Sequence, residues 1–184
     1  MAEKLRHSGA RSPEFALLGL LYGQPNHGYT LHQQLQAELG HVWHVSQSQT
    51  YNILSRMEEQ GFISSTIQEQ EKLPPRQLLR ITASGRRRFE EWLQTPSGSS
   101  VRAIRLDFIT RLYFARKLFP GLLPGIFKSE QEEIKKAISR LEAEQESIPP
   151  EQQFNRLGQD LRIRQLHSVR EWLNICSREL KIKA

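Results

Sequence analysis

The sequence is poor in several features that would assign a protein class at once. It has one cysteine, Cys176, so it cannot form a disulfide within the chain, which suits a reducing compartment. No apolar run approaches the roughly 20 residues that span a bilayer. The opening MAEKLRHSGARS lacks the apolar core of a secretory signal, so no membrane association and a cytoplasmic location are expected. There is no glycine-rich dinucleotide or phosphate loop and no G-x-S-x-G elbow. His41 and His44, like His27 and His32, lack both the HExxH spacing and a cysteine partner, so neither a metal nor a cofactor is expected. The acidic pairs Glu58/Glu59, Glu90/Glu91 and Glu132/Glu133 read as charged helix faces. These absences argue against an enzyme.

What is present is enough apolar material for a core, 38% hydrophobic against 25% charged. The formal charge is +6, which favours a polyanionic partner. Its distribution is uneven. Residues 1–98 hold 10 Lys/Arg and 9 Asp/Glu, whereas residues 99–184 hold 16 and 11. Net charge alone therefore does not place a nucleic-acid site in the first half.

The pattern along the first half predicts helix, helix, helix, hairpin, helix. SPEFALLGLLYG has Ser12 as N-cap, Pro13 at the first helical position and an apolar face of Phe15, Leu18 and Leu21. QPN reads as a turn. HGYTLHQQLQAELG repeats Leu31, Leu35 and Leu39 at helical spacing. In HVSQSQTYNILSRMEEQGFI, Ser46 and Gln49 match a capping box. Thr50, Ile53, Leu54 and Met57 share one face, and Gly61 stops the helix. FISSTIQ and RQLLRIT alternate as two strands joined by a long tip. Thr82 can cap the fourth helix, ASGRRRFEEWLQ, whose Arg86, Arg87 and Arg88 read as a solvated run. TPSGSS is a linker. Three segments are expected: 1–96, with 1–11 as a flexible basic arm, then a linker at 97–100, then an all-helical 101–184.

The predicted order is the plan of a winged helix-turn-helix, in which the third helix enters the major groove and the hairpin touches the backbone or minor groove. The polar face of that helix is Ser48, Tyr51, Asn52, Ser55 and Glu59, with Gln47 at its exposed N-terminal end and Arg56 on a flank. Uncharged amides and hydroxyls both donate and accept, which suits base edges, and Asn or Gln can pair bidentately with adenine. The wing supplies Lys72, Arg76 and Arg80 as candidate phosphate contacts, opposed by Glu69 and Glu71. A winged helix serving protein contact without DNA is the alternative. In the second half Ile104, Phe108, Leu112, Ala115 and Phe119 form one stripe. Phe127, Ile134, Leu141 and Ile148 recur every seven residues with Ile138 beside them, and with Leu166, Val169, Leu173, Cys176 and Leu180 they make coiled-coil-like seams.

The segments ALLGLLYGQPNHGYTLHQQL, VSQSQTYNILSRMEEQGFI and PPRQLLRITASGRRRFEEWL together resemble the PadR family of bacterial transcriptional regulators. Gly28-Tyr29, Tyr51, Leu54, Gly61, Arg76, Thr82, Gly85 and Arg86 carry the likeness. The remainder is similar to the family's longer, virulence-activator-like branch. The resemblance implies a mainly α protein, a winged helix followed by an antiparallel coiled-coil-like dimerisation domain. It implies a homodimer on a pseudo-palindromic double-stranded DNA site. DNA contacts would come from Tyr29, Ser46, Gln47, Ser48, Gln49, Tyr51, Asn52, Arg56, Lys72 and Arg76. Dimerisation would fall to Phe127, Ile134, Ile138, Leu141, Leu166, Leu173, Cys176 and Leu180. A small-molecule effector has no recognisable box in the chain.

Overall fold

The computed structural model describes residues 12–68 and 76–182. The chain divides into two compact units between Thr95 and Pro96. The basic arm and Lys72 lie outside the described residues.

The first unit runs α1 (Glu14–Gly23), β1 (Asn26–His27), α2 (Gly28–Leu39), α3 (Gln47–Glu59), β2 (Ile63–Gln68), β3 (Arg76–Ile81) and α4 (Ala83–Gln94). The expected amphipathic α1 is instead buried on every side from Glu14 to Leu21. It is the central helix, packed against α2, α3, α4 and β3, so no face is left for water. The helix begins one residue later than expected. Pro13 precedes it and no side chain caps it, so Ser12 is not the cap.

Burying α1 also buries Glu14, at 5% exposure, and a carboxylate removed from water needs a cation. Arg88 supplies it through Nε and Nη2 at 3.1 and 3.0 Å from the same oxygen. Its guanidinium lies 4.5 Å over the Phe62 ring and 5.2 Å from Phe15. Arg86 covers Tyr22 at 4.6 Å. The arginine run at the start of α4 is therefore not a solvated face, because two of its members are drawn to α1. Phe15 and Trp92, stacked at 4.6 Å, complete the α1–α4 contact.

The hairpin forms as expected, with Ile63 opposite Ile81 and Gln68 opposite Arg76. Ile63 and Leu79 turn inward, whereas Ile67, near the tip, is 75% exposed. The segment read as a turn contributes β1, which pairs with β3 and gives a three-stranded sheet of order β1-β3-β2. Gly61 takes φ 72, a conformation that side chains resist, and this lets α3 pass directly into β2. Thr82 caps α4 by accepting from the Gly85 amide at 3.1 Å, while its hydroxyl donates to the Gly61 carbonyl at 2.7 Å.

The second unit holds α5 (Val101–Ala103), a π-helical turn (Ile104–Phe108), α6 (Ile109–Leu118), a 3-10 turn (Pro120–Leu122), α7 (Leu123–Glu146) and α8 (Gln153–Glu179). Of the predicted stripe, Ile104, Phe108, Leu112 and Ala115 are buried, whereas Phe119, past the end of α6, is part-exposed. The π turn inside the stripe has no signature in the apolar spacing.

The seam assigned to pairing between chains is occupied within the chain. Pro149 and Pro150 break the helix and α8 returns along α7, with Gln159 donating to the Leu141 carbonyl at 3.0 Å. Phe127, Ile134, Ile138, Leu141, Leu166 and Leu173 are consequently all buried. Cys176 and Leu180 are part-exposed, and burial pushes the Cys176 thiol up. A seven-residue repeat specifies that a seam will be covered, not by which copy of the chain.

A buried charge cluster sits at the start of this unit. Arg111 and Glu130, both with fully buried side chains, pair at 2.8 Å, and Asp107 approaches Arg111 Nε at 3.4 Å. Ser97 joins them, its hydroxyl accepting from Arg111 and its amide donating to Glu130 at 3.2 Å. Burial pushes the Glu130 carboxyl up, against the lowering pull of Arg111. No described helix is long and apolar enough to cross a membrane.

Candidate nucleic-acid interface

The inner face of α3 is fixed by Thr50, Ile53, Leu54 and Met57, all buried. Its N-terminus is fixed by the predicted capping box. The Ser46 hydroxyl accepts from the Gln49 amide at 3.2 Å, and the Ser46 amide donates to Gln49 Oε1 at 2.8 Å. Helix α2 adds two ties. Gln36 donates to the Val45 carbonyl at 2.9 Å, and His32 Nδ1 meets the Thr50 hydroxyl at 3.0 Å. Thr50 itself bonds to the Ser46 carbonyl at 3.1 Å. At the other end the Ser65 hydroxyl bonds to Glu58 and accepts from Gln77 at 2.9 Å, tying α3 to the wing.

With α3 so held, Gln47, Ser48, Tyr51, Asn52 and Ser55 are exposed. Among the described residues, no protein group hydrogen-bonds their side chains. The face thus offers free donors and acceptors on a rigid backbone, beside helix N–H groups that favour anionic oxygen.

The other predicted contacts divide. Ser46 and Gln49 are exposed, and their side chains are engaged with each other's backbone in the cap. Arg56 is pulled towards α1, with Nη2 3.4 Å from the Ser12 hydroxyl and 3.7 Å from Glu14, because the buried carboxylate attracts a second cation. Arg76 and Arg80 are exposed on β3.

Tyr29 and Tyr51, 52% and 43% exposed, belong to a cleft of about 560 Å³ between α2, α3 and β3. Arg76, His27 and Gln33 also line it. Tyr29 accepts from Gln33 at 3.0 Å, and His27 donates to the Gln77 carbonyl at 2.9 Å. The Tyr51 ring rests on Gly28, where a Cβ would come within 2.8 Å of Cε1. Gly28 is thus the residue that lets Tyr51 lie against α2. The sequence placed Gly28 and Tyr29 together but did not show this contact. It also gave no hint of Glu14 and Arg88 as a buried pair, since they stand 74 residues apart. Among the described residues, no group of three or more His, Cys, Asp or Glu side chains could hold a metal.

Residues 17–91 match the model of the family described as "Transcriptional regulator PadR-like family". The negative transcriptional regulator PadR of Bacillus subtilis is 26% identical over 137 residues, covering 73% of this chain and 74% of that protein. Among solved structures, B. subtilis PadR in complex with operator DNA aligns over 89% of this chain and 94% of its own, with 23% identity and a TM-score of 0.44. A Streptococcus mutans protein aligns over 92% and 99%, with 23% identity and a TM-score of 0.45.

Proposed function

We propose that this chain is a PadR-like transcriptional regulator, as the match over residues 17–91 and the likeness to B. subtilis PadR support, and that it binds specific double-stranded DNA sites as a homodimer, in the cytoplasm. The observation that carries this reading is the outer face of α3. Gln47, Ser48, Tyr51 and Asn52 are exposed, uncharged and unbonded on a helix held from both ends. Such side chains discriminate base edges, where charged ones would mostly bind phosphate. Arg76 and Arg80 are suited to the backbone beside the groove, and Tyr29 and Tyr51 to sugar or thymine methyl.

Pairing of two chains falls to residues other than the expected seam. On α8, Phe154, Leu157 and Leu161 stand at helical spacing and are 89%, 64% and 57% exposed. They form the apolar stripe that a second copy would cover. Two reading helices would then meet successive major grooves, about 34–36 Å apart, on a pseudo-palindromic site.

Selection of bound sequences from a random DNA pool tests the proposal. An inverted repeat is expected, with enrichment lost in Asn52→Ala and in Tyr51→Ala. Each lost base contact should cost about 1–3 kcal/mol of discrimination. Absence of enrichment by the parent protein would overturn the reading in favour of a protein-binding winged helix.

A further inference from the structure

The excess positive charge of the second half is concentrated. Residues 99–128 contain Arg102, Arg105, Arg111, Arg116, Lys117 and Lys128 against a single acid, Asp107. Residues 129–184 carry ten of each sign. Within 99–128 the one acid and one of the cations are hidden, since Asp107 and Arg111 are buried against each other. The helical segment formed by α5, the π turn and α6 therefore exposes Arg102, Arg105, Arg116 and Lys117 and no carboxylate.

These residues share a face. Arg102, Arg105, Ile109, Tyr113 and Arg116 recur every three or four positions, and each is exposed or part-exposed. Lys117 lies beside Tyr113, its Nζ 2.7 Å from the phenol oxygen and 5.2 Å from the ring centroid. No carboxylate among the described residues forms an ion pair with Arg102, Arg105 or Arg116. An ordinary solvated helix face mixes signs, as α7 does with Lys135, Lys136 and Arg140 among Glu132, Glu133 and Glu144. A one-signed face repels itself unless an anion neutralises it.

We propose that this face is a second DNA-contacting surface, binding backbone phosphates flanking the bases read by α3. It rests on the DNA-binding reading above and extends it to the second unit. Three arginines favour phosphate, whose oxygens match the guanidinium fork, and the face has no amide to read bases. The proposal also explains a deficit. Residues 1–98 carry 10 cations against 9 acids, too few for strong electrostatic attachment to DNA by themselves. Being joined to the reading unit in one chain, the basic face meets flanking phosphates at high effective concentration once α3 is seated.

The test compares the full-length parent, the R102Q/R105Q/R116Q protein and a control, K135Q/K136Q/R140Q, with the same charge change on α7. A 40-base-pair mixed-sequence duplex is titrated across a salt series. Neutralised phosphates steepen log K against log salt by about 0.9 each, so the first variant should lose about 2–3 from the slope per protomer, about 5 for the homodimer, and bind at least about tenfold more weakly at 0.1 M salt. The control should keep the parental slope, and thermal unfolding should match for all three. Preference among sequences, measured by selection, should be retained by the first variant, unlike Asn52→Ala. The proposal falls if R102Q/R105Q/R116Q keeps the parental slope, or if the control loses as much. If the parent binds no duplex at any salt, the DNA-binding reading itself fails and this one with it.

Discussion

Both units bury a carboxylate with a guanidinium, and both expose a helix face that solvation alone would not select, but they do so differently. In the first unit Glu14 is closed in while its partner Arg88 keeps 20% of its side chain in contact with solvent. In the second, Arg111 and Glu130 are both sealed. The first unit exposes uncharged polar groups on α3. The second exposes Phe154, Leu157 and Leu161 on α8 and an all-basic face nearer its start. On the proposed reading, the contrast separates two tasks. Reading bases requires groups that donate and accept, held still, whereas pairing and attachment require apolar area and charge and tolerate less exact placement.

The largest expected effect tests the buried pairs. Glu130→Ala leaves Arg111 in a sealed site with Asp107 as its remaining counter-charge and should cost about 3–5 kcal/mol in denaturant unfolding. Glu14→Ala leaves Arg88 with a route to water and should cost less, about 1–3 kcal/mol. Equal losses would erase the distinction between the units.

Next comes the apolar stripe. A buried leucine contributes about 1.5–3 kcal/mol, so the Leu157→Lys/Leu161→Lys protein should dissociate at least about 100-fold more readily by sedimentation, with secondary structure intact. An unchanged dimer would return the pairing to other surfaces. Gly28→Ala sharpens the contrast inside the first unit. A methyl group 2.8 Å from the Tyr51 ring must displace that exposed side chain, with little loss of stability but about a tenfold loss of DNA affinity by titration. The smallest effect is Ser46→Ala. It removes one cap, about 1 kcal/mol, and should speed amide exchange in the first turn of α3 while leaving α8 unaffected.

Much of the proposed reading face is legible in the sequence because it is local. Ser46 and Gln49 are three residues apart, and the inward and outward sides of α3 follow from the helical repeat alone. Arg56 shows where that logic stops. Its place on the flank of α3 is a matter of spacing, but its attachment to Glu14 depends on a residue 42 positions earlier, brought close only when α1 becomes the central helix. The same holds for Arg88, which looked like one of three surface cations until a buried carboxylate required it.

The amino-acid order by itself determined most of the helices and the hairpin strands, the caps at Ser46 and Thr82, the stop at Gly61 and the apolar side of α3, since neighbours within four residues decide those. Only the tertiary structure decided what covers each apolar side and which charge answers a buried one. The repeat of Phe127 to Leu141 is the same whether the covering helix comes from the same chain or from another. The return of α8 past Pro149 and Pro150 made it the same chain, because a tethered helix competes at far higher effective concentration than a free one.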